Sequence, residues 1–182
     1  MTFTDYQATF DEILTGKNTD APYDDTHFLE YTKLNFSRQN RWLKKGEILQ
    51  KTIAEMNEIS TKQTWVLIAE PWCGDAAHCV PFIFKMAELN PLITVEIQLR
   101  DSENSEIEKY LTNGGKSIPI LIVRDSENND LFVWGPRPEP AQVLFLESKA
   151  QQLSVDDQKI ALQNWYNKDM GQTIQKEILE EL

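Results

Sequence analysis

The sequence is short of sulfur, histidine and positive charge: 182 residues hold two cysteines, two histidines, and 18 Lys and Arg against 29 Asp and Glu. Each shortage excludes something. Two cysteines are too few for the disulfide framework of a small secreted domain, so any role for them is expected to be chemical rather than architectural. A formal net charge of −11 and a pI near 4.6 oppose binding to a phosphate backbone, which needs clustered Lys and Arg. Nucleic acid is therefore not an expected partner. No apolar run approaches the ~18 residues needed to cross a bilayer. The opening "MTFTDYQATFDEIL" lacks the basic head and apolar stretch of a leader, so the expectation is a cytoplasmic protein with no membrane partner. Internal repeats and low-complexity tracts are absent as well.

What remains, 41% hydrophobic and 26% charged, is ordinary for a chain that buries one substantial core. The first sixty residues read as helices. Phe3, Tyr6, Phe10, Ile13 and Leu14 recur at helical spacing ahead of Gly16. A second helix is expected around Phe28, Leu29, Tyr31 and Leu34, and a third around Trp42, Leu43, Leu49, Ile53 and Met56. At Thr64 the pattern changes: "TWVLIA" is a short continuous apolar run, typical of a strand buried on both faces. The segment from Cys73 to Leu89 has helical periodicity, with Pro81 inside it, and "ITVEIQL" alternates as a second strand. "NSEIEKYL" reads as a short helix. "IPILIV" and "LFVW", joined by the polar "RDSENND", read as an antiparallel hairpin, and Val143, Leu144 and Leu146 suggest a further helix. Leu162, Tyr166, Met170, Ile174, Ile178 and Leu182, four apart, read as one amphipathic C-terminal helix.

A parallel crossover followed by a hairpin and a closing helix is an α/β arrangement whose functional groups are expected at the carboxyl end of its first strand. Both cysteines fall there, in "EPWCGDAAHCVP", residues 70–81. Cys73 would stand at a helix N-terminus, where free backbone N–H groups and the helix dipole favour a thiolate, while Asp75 disfavours a second negative charge. His78 lies on another face and is expected to be exposed. On a continuous helix, six residues separate the Cys73 and Cys79 Cα atoms by ~10 Å, beyond the ~7 Å that a disulfide spans. Cys79 is therefore read as a small buried side chain. "CxxxxHC" is not a zinc spacing, so no metal is expected. Arg38, Arg41, Lys44 and Lys45 read as a solvated or ion-paired helix face, and Trp42 as core.

With "AEPWCG" ending the first strand, Pro81 eight residues beyond Cys73, "KSIPILIV" 46 positions on at Pro119, and Gly135 after the last strand, residues 60–150 resemble the thioredoxin superfamily. The resemblance implies a thioredoxin-like fold, a central mixed sheet flanked by helices, over residues 60–150. A helical extension over 1–59 and a C-terminal helix over 151–182 would complete the chain. It implies Cys73 as nucleophile, Trp72 and Gly74 as flanking substrate-binding residues, and Ile118 and a cis Pro119 as the edge for a substrate backbone. Asp75, His78 and Cys79 would be modulators. The "WCGDAAH" variant, together with "KLNFSRQNRW" in the extension, is similar to a bacterial thioredoxin-like subfamily. The family's second cysteine falls on Ala76 and its buried acid on Leu67, so ordinary dithiol chemistry is not expected. The reading is a thiol-disulfide oxidoreductase acting mainly through Cys73 on a protein disulfide or thiol-capped substrate, with an internal resolving step by Cys79 as the minor variant. An external thiol or reductase would resolve it, with no bound cofactor. The alternatives are a non-catalytic peptide-binding module and a redox sensor.

Overall fold

The computed structural model describes residues 1–182. Three helices lead in: α1 (Phe3–Leu14), α2 (Thr26–Lys45) and α3 (Gln50–Glu58). The order is then β1 (Gln63–Ala69), α4 (Gly74–Ala87), β2 (Ile93–Leu99), β3 (Ile120–Arg124), β4 (Asp130–Trp134), α5 (Glu139–Ala150), α6 (Val155–Asp169) and α7 (Gln172–Glu181). The sheet runs β2-β1-β3-β4. β1 pairs parallel with β2, Leu67 opposite Ile97, and antiparallel with β3, Leu67 opposite Leu121. The β3–β4 hairpin is antiparallel. This is an α/β thioredoxin-like fold with helical extensions, and its strands are the ones the apolar runs announce.

The central position of β1 explains its composition. Both of its faces are covered, so Trp65, Leu67 and Ile68 are fully buried, and burial of each such side chain contributes roughly 1.5–3 kcal/mol. α4 is the most enclosed helix: ten of its fourteen residues are buried. Pro81 has no N–H, so the Ala77 carbonyl receives no helical donor. Phe82 on α4 is enclosed from two directions by glycines. A β-carbon on Gly46, just past α2, would lie 2.8 Å from Phe82 Cε1, and one on Gly171 would overlap the ring itself.

Three elements differ from the sequence reading. Arg38 through Lys45 belong to α2, which runs unbroken over twenty residues to Gly46, so Trp42 and Leu43 are not part of the helix that holds Ile53 and Met56. "NSEIEKYL" forms only a 3-10 turn, Ile107–Lys109. Glu106 is drawn to the sheet instead: its N–H donates to the Gln98 side chain and its carboxylate accepts two bonds from Arg124, at 3.0 and 2.9 Å. The C-terminal segment is two helices rather than one. Met170 (φ 54°) and Gly171 (φ 74°) are both left-handed, and the Asp169 carboxylate accepts from the Thr173 N–H and hydroxyl to start α7. Periodicity of four carries across the break and hides it.

Candidate functional site

Parallel pairing places the end of β1 and the start of α4 at one rim of the sheet, and the loop between them, residues 70–73, carries Cys73. Cys73 is the N-cap of α4: its sulfur accepts the Ala76 N–H at 3.4 Å. The thiol donates in turn to the Ile118 carbonyl at 3.4 Å. Ile118 and Pro119 are buried and joined by a cis peptide bond. Gly135 closes this edge from below. At φ 127° it adopts a conformation few L side chains reach, and its missing β-carbon is what lets the Pro119 carbonyl approach.

The helix terminus does not make Cys73 acidic. Burial first, and the Asp75 carboxylate second, push its thiol up to about 12, against the Ala76 and Asp75 N–H groups and Arg137, which pull the other way. Asp75 itself is held by the Arg137 guanidinium at 2.6 Å and accepts the Tyr166 hydroxyl at 2.8 Å. Cys79 is buried, free, and has its sulfur 3.8 Å from the same hydroxyl. Burial pushes the Cys79 thiol well up. The two cysteines therefore stand on either side of one Asp75–Tyr166 hydrogen bond.

His78 is buried rather than exposed. The Trp42 indole N–H donates to its Nδ1 at 2.8 Å, which leaves the proton on Nε2, 3.2 Å from Gln163 Oε1. Its ring stacks on Tyr166 with centroids 4.4 Å apart. Enclosure holds it neutral: burial, reinforced by Arg38, lowers its pKa to about 3. Helices α2 and α6, not solvent, cover this face of α4.

Trp72 stands half-buried at the mouth, edge-on to Phe28 and under the Arg100 guanidinium at 4.6 Å. Gly74 opens α4 beside Arg38, whose Nη1 lies 3.6 Å from where a Gly74 β-carbon would be. Together with Cys73, Asp75, His78 and Ile118, these residues border a groove of about 1000 Å³, walled on its far side by α6.

Two contributions escaped the sequence reading. The first is a stripe on α2, Asn35, Arg38 and Trp42, at helical spacing in "KLNFSRQNRW": Asn35 faces the Cys73 loop, Arg38 the first turn of α4, and Trp42 the His78 and Phe82 side chains further along α4. Asn35 Nδ2 donates to the Pro71 carbonyl at 3.0 Å, and Arg38 Nη1 donates to Asn35 Oδ1 at 2.9 Å. Arg38 thus belongs to the site rather than to a solvated face. The second is Glu70, buried at the end of β1. It accepts the Asp101 N–H at 3.1 Å and the Tyr23 hydroxyl at 3.4 Å, and burial raises its carboxyl to about 7.

A family model described as Thioredoxin matches residues 22–154, well over half the chain, and with this fold and site it places the protein in the thioredoxin family. Among solved structures, the chain is similar to the Pseudomonas aeruginosa protein PA1234, of unknown function: TM-score 0.52, 17% identity, over 75% of this chain and 82% of that one. It is also similar to an HIV epitope scaffold: TM-score 0.50, 14% identity, over 90% and 99% of the two chains. A comparison with curated proteins finds no match. The family match begins before α2, so it takes in the stripe that braces the Cys73 loop. No helix is long and apolar enough to cross a membrane.

Proposed function

We propose that the protein is a thioredoxin-like thiol-disulfide oxidoreductase of a bacterial, cytoplasmic subfamily marked by "WCGDAAH", acting through Cys73 alone. The observation that carries this reading is the position of the Cys73 sulfur. It sits between the first turn of α4 and the Ile118 carbonyl, at the floor of an open groove. In the first step the Cys73 thiol gives its proton to solvent and the thiolate attacks one sulfur of a substrate disulfide. The Cys73–substrate S–S bond forms, the substrate S–S bond breaks, and the other half leaves as thiolate. An external thiolate then attacks the mixed disulfide, bonds to the substrate sulfur and releases Cys73. Cys79 takes no part, because it is buried behind Tyr166.

One observation favours the second reading, a peptide-binding or redox-sensing module in which Cys73 performs no turnover: the resting thiol is pushed up to about 12, and the thiolate is the nucleophile. The pH dependence of Cys73 alkylation, read by intact mass on wild type and on Cys79→Ala, separates the two. A midpoint below the ~8.5 of a free thiol, unchanged in Cys79→Ala, supports the oxidoreductase. A midpoint at or above that value moves the conclusion to the binding module.

A further inference from the structure

The groove has the opposite charge balance to the protein. In a chain with 29 acidic and 18 basic residues, its walls hold Arg38, Arg100, Lys116, Arg137 and Lys159 against only Asp75 and Asp156. Four of the five cations have a carboxylate partner: Arg100 with Asp101, Lys116 with Glu108, Arg137 with Asp75, and Lys159 with Asp156. Arg38 has none. Its guanidinium donates to the neutral Asn35 and abuts the first turn of α4 at Gly74. That is the positive end of a helix dipole, the worst place for a cation and the best for an anion. The nearby Asp75, whose carboxylate is engaged by Arg137 and Tyr166, offsets the Arg38 charge only through space. Burial first, and the neighbouring Arg41 after it, pull the Arg38 pKa down; Tyr31 and Asp75 oppose them, and the net shift is downward.

The rest of the groove describes the occupant further. Leu34, Val155 and Ile160 present exposed apolar surface along its rim, and Lys159 rests over the Tyr31 ring, only loosely held by Asp156 at 3.9 Å. Its volume, about 1000 Å³, lies at the upper end of the roughly 300–1,000 Å³ typical of small-ligand sites. A bare ion would leave it empty.

We infer that the groove selects small disulfides that carry carboxylates, with Arg38 as the residue that sets this preference by pairing a substrate carboxylate at the first turn of α4, which Cys73 caps. This inference rests on the thiol-exchange reading above, and it assigns that reaction a substrate charge. In the step itself Arg38 exchanges no atoms or electrons.

The test is a charge series of three small disulfides: 3,3′-dithiodipropionate, bis(2-hydroxyethyl) disulfide and cystamine. The rate of mixed-disulfide formation on Cys73 is followed by intact mass for wild type, Arg38→Gln and Arg38→Lys. The wild type is expected to react at least about tenfold faster with the anionic than with the neutral disulfide, as one charge-assisted hydrogen bond allows, and slowest with cystamine. High salt should shrink the ratio. Arg38→Gln should bring the anionic-to-neutral ratio close to one, and Arg38→Lys should retain part of it. Suberate, which has the same chain length without the S–S bond, is titrated by calorimetry and should bind about tenfold more weakly to Arg38→Gln. Equal wild-type rates for all three disulfides overturn the inference and leave the oxidoreductase standing. Arg38-dependent binding of suberate with no reaction at Cys73 upholds the anion site and overturns the thiol chemistry. Absence of both a charge preference and suberate binding overturns the site, whatever the variants do.

Discussion

The Arg137 guanidinium lies 2.6 Å from the Asp75 carboxylate, so the acid that acts on the Cys73 thiol is tied by the connection between β4 and α5. Asp75 still raises the thiol pKa, second only to burial. Asp75→Asn is therefore expected to move the Cys73 alkylation midpoint down by on the order of one pH unit, with a roughly tenfold faster rate at neutral pH. Asp75→Asn combined with Arg137→Gln should move it less, since the positive charge is lost as well. Intact-mass alkylation across pH measures both, and an upward shift in the single variant would refute the role given to Asp75.

Glu70 and His78 should tilt the stability profile in opposite directions. The Glu70 carboxyl is raised from 4.5 to about 7, so between those values the folded state binds the extra proton and stability falls as pH rises. At full development this is on the order of 3 kcal/mol. His78 is lowered from 6.5 to about 3, so there the unfolded state binds the extra proton, and stability is lost as pH falls from 6.5 toward 3. Urea unfolding across pH should show Glu70→Gln gaining stability over wild type as pH rises from about 4.5 toward 7 and holding a constant advantage above that. Parallel wild-type and Glu70→Gln profiles would count against a buried, protonated Glu70.

The α2 stripe should matter to stability as well as to the groove. Asn35→Ala removes the donor to the Pro71 carbonyl, and Trp42→Phe leaves His78 Nδ1 without one. Each is expected to cost about 1–3 kcal/mol, the range for a buried polar group left unpaired. Denaturant midpoints provide the measurement, and losses below about 0.5 kcal/mol would mean the surroundings re-satisfy these groups.

Gly171→Ala combines a left-handed backbone with a β-carbon driven into the Phe82 ring. The expected loss is about 2–4 kcal/mol, overpacking plus backbone strain. Phe82→Leu in the Gly171→Ala background should recover part of it. No recovery would assign the whole cost to the backbone.

Much of the fold is legible from local pattern alone. β1, β2, the β3–β4 hairpin and α4 each declare themselves through apolar runs, alternation or helical periodicity, and Cys73 follows from its place after β1. The α2 stripe is not legible. Asn35 and Arg38 are polar residues at helical spacing, which reads as a solvated face until α4 is packed against it. His78 was misplaced for the same reason, since the residues that enclose it come from Trp42 and from Gln163 and Tyr166 on α6. Glu70 follows the last residue of β1 and precedes a proline, and no local pattern in the sequence marks it. Only the fold brings Tyr23 and the Asp101 amide to it. In each case the missing information is tertiary contact across more than thirty positions.

The enclosure of Phe82 by Gly46 and Gly171 couples three positions from three separate stretches of the chain. The space they share is fixed, so sequence drift at any one of them is bound to the other two. A side chain can grow at 171 only if residue 82 shrinks, and a smaller residue at 82 leaves a void on that side, whereas growth at 46 is also blocked by the Trp42 carbonyl. The last helix is thus tied by a shared volume to the helix that bears the thiol, and covariation between positions 82 and 171 would be the mark of that tie in any set of related sequences.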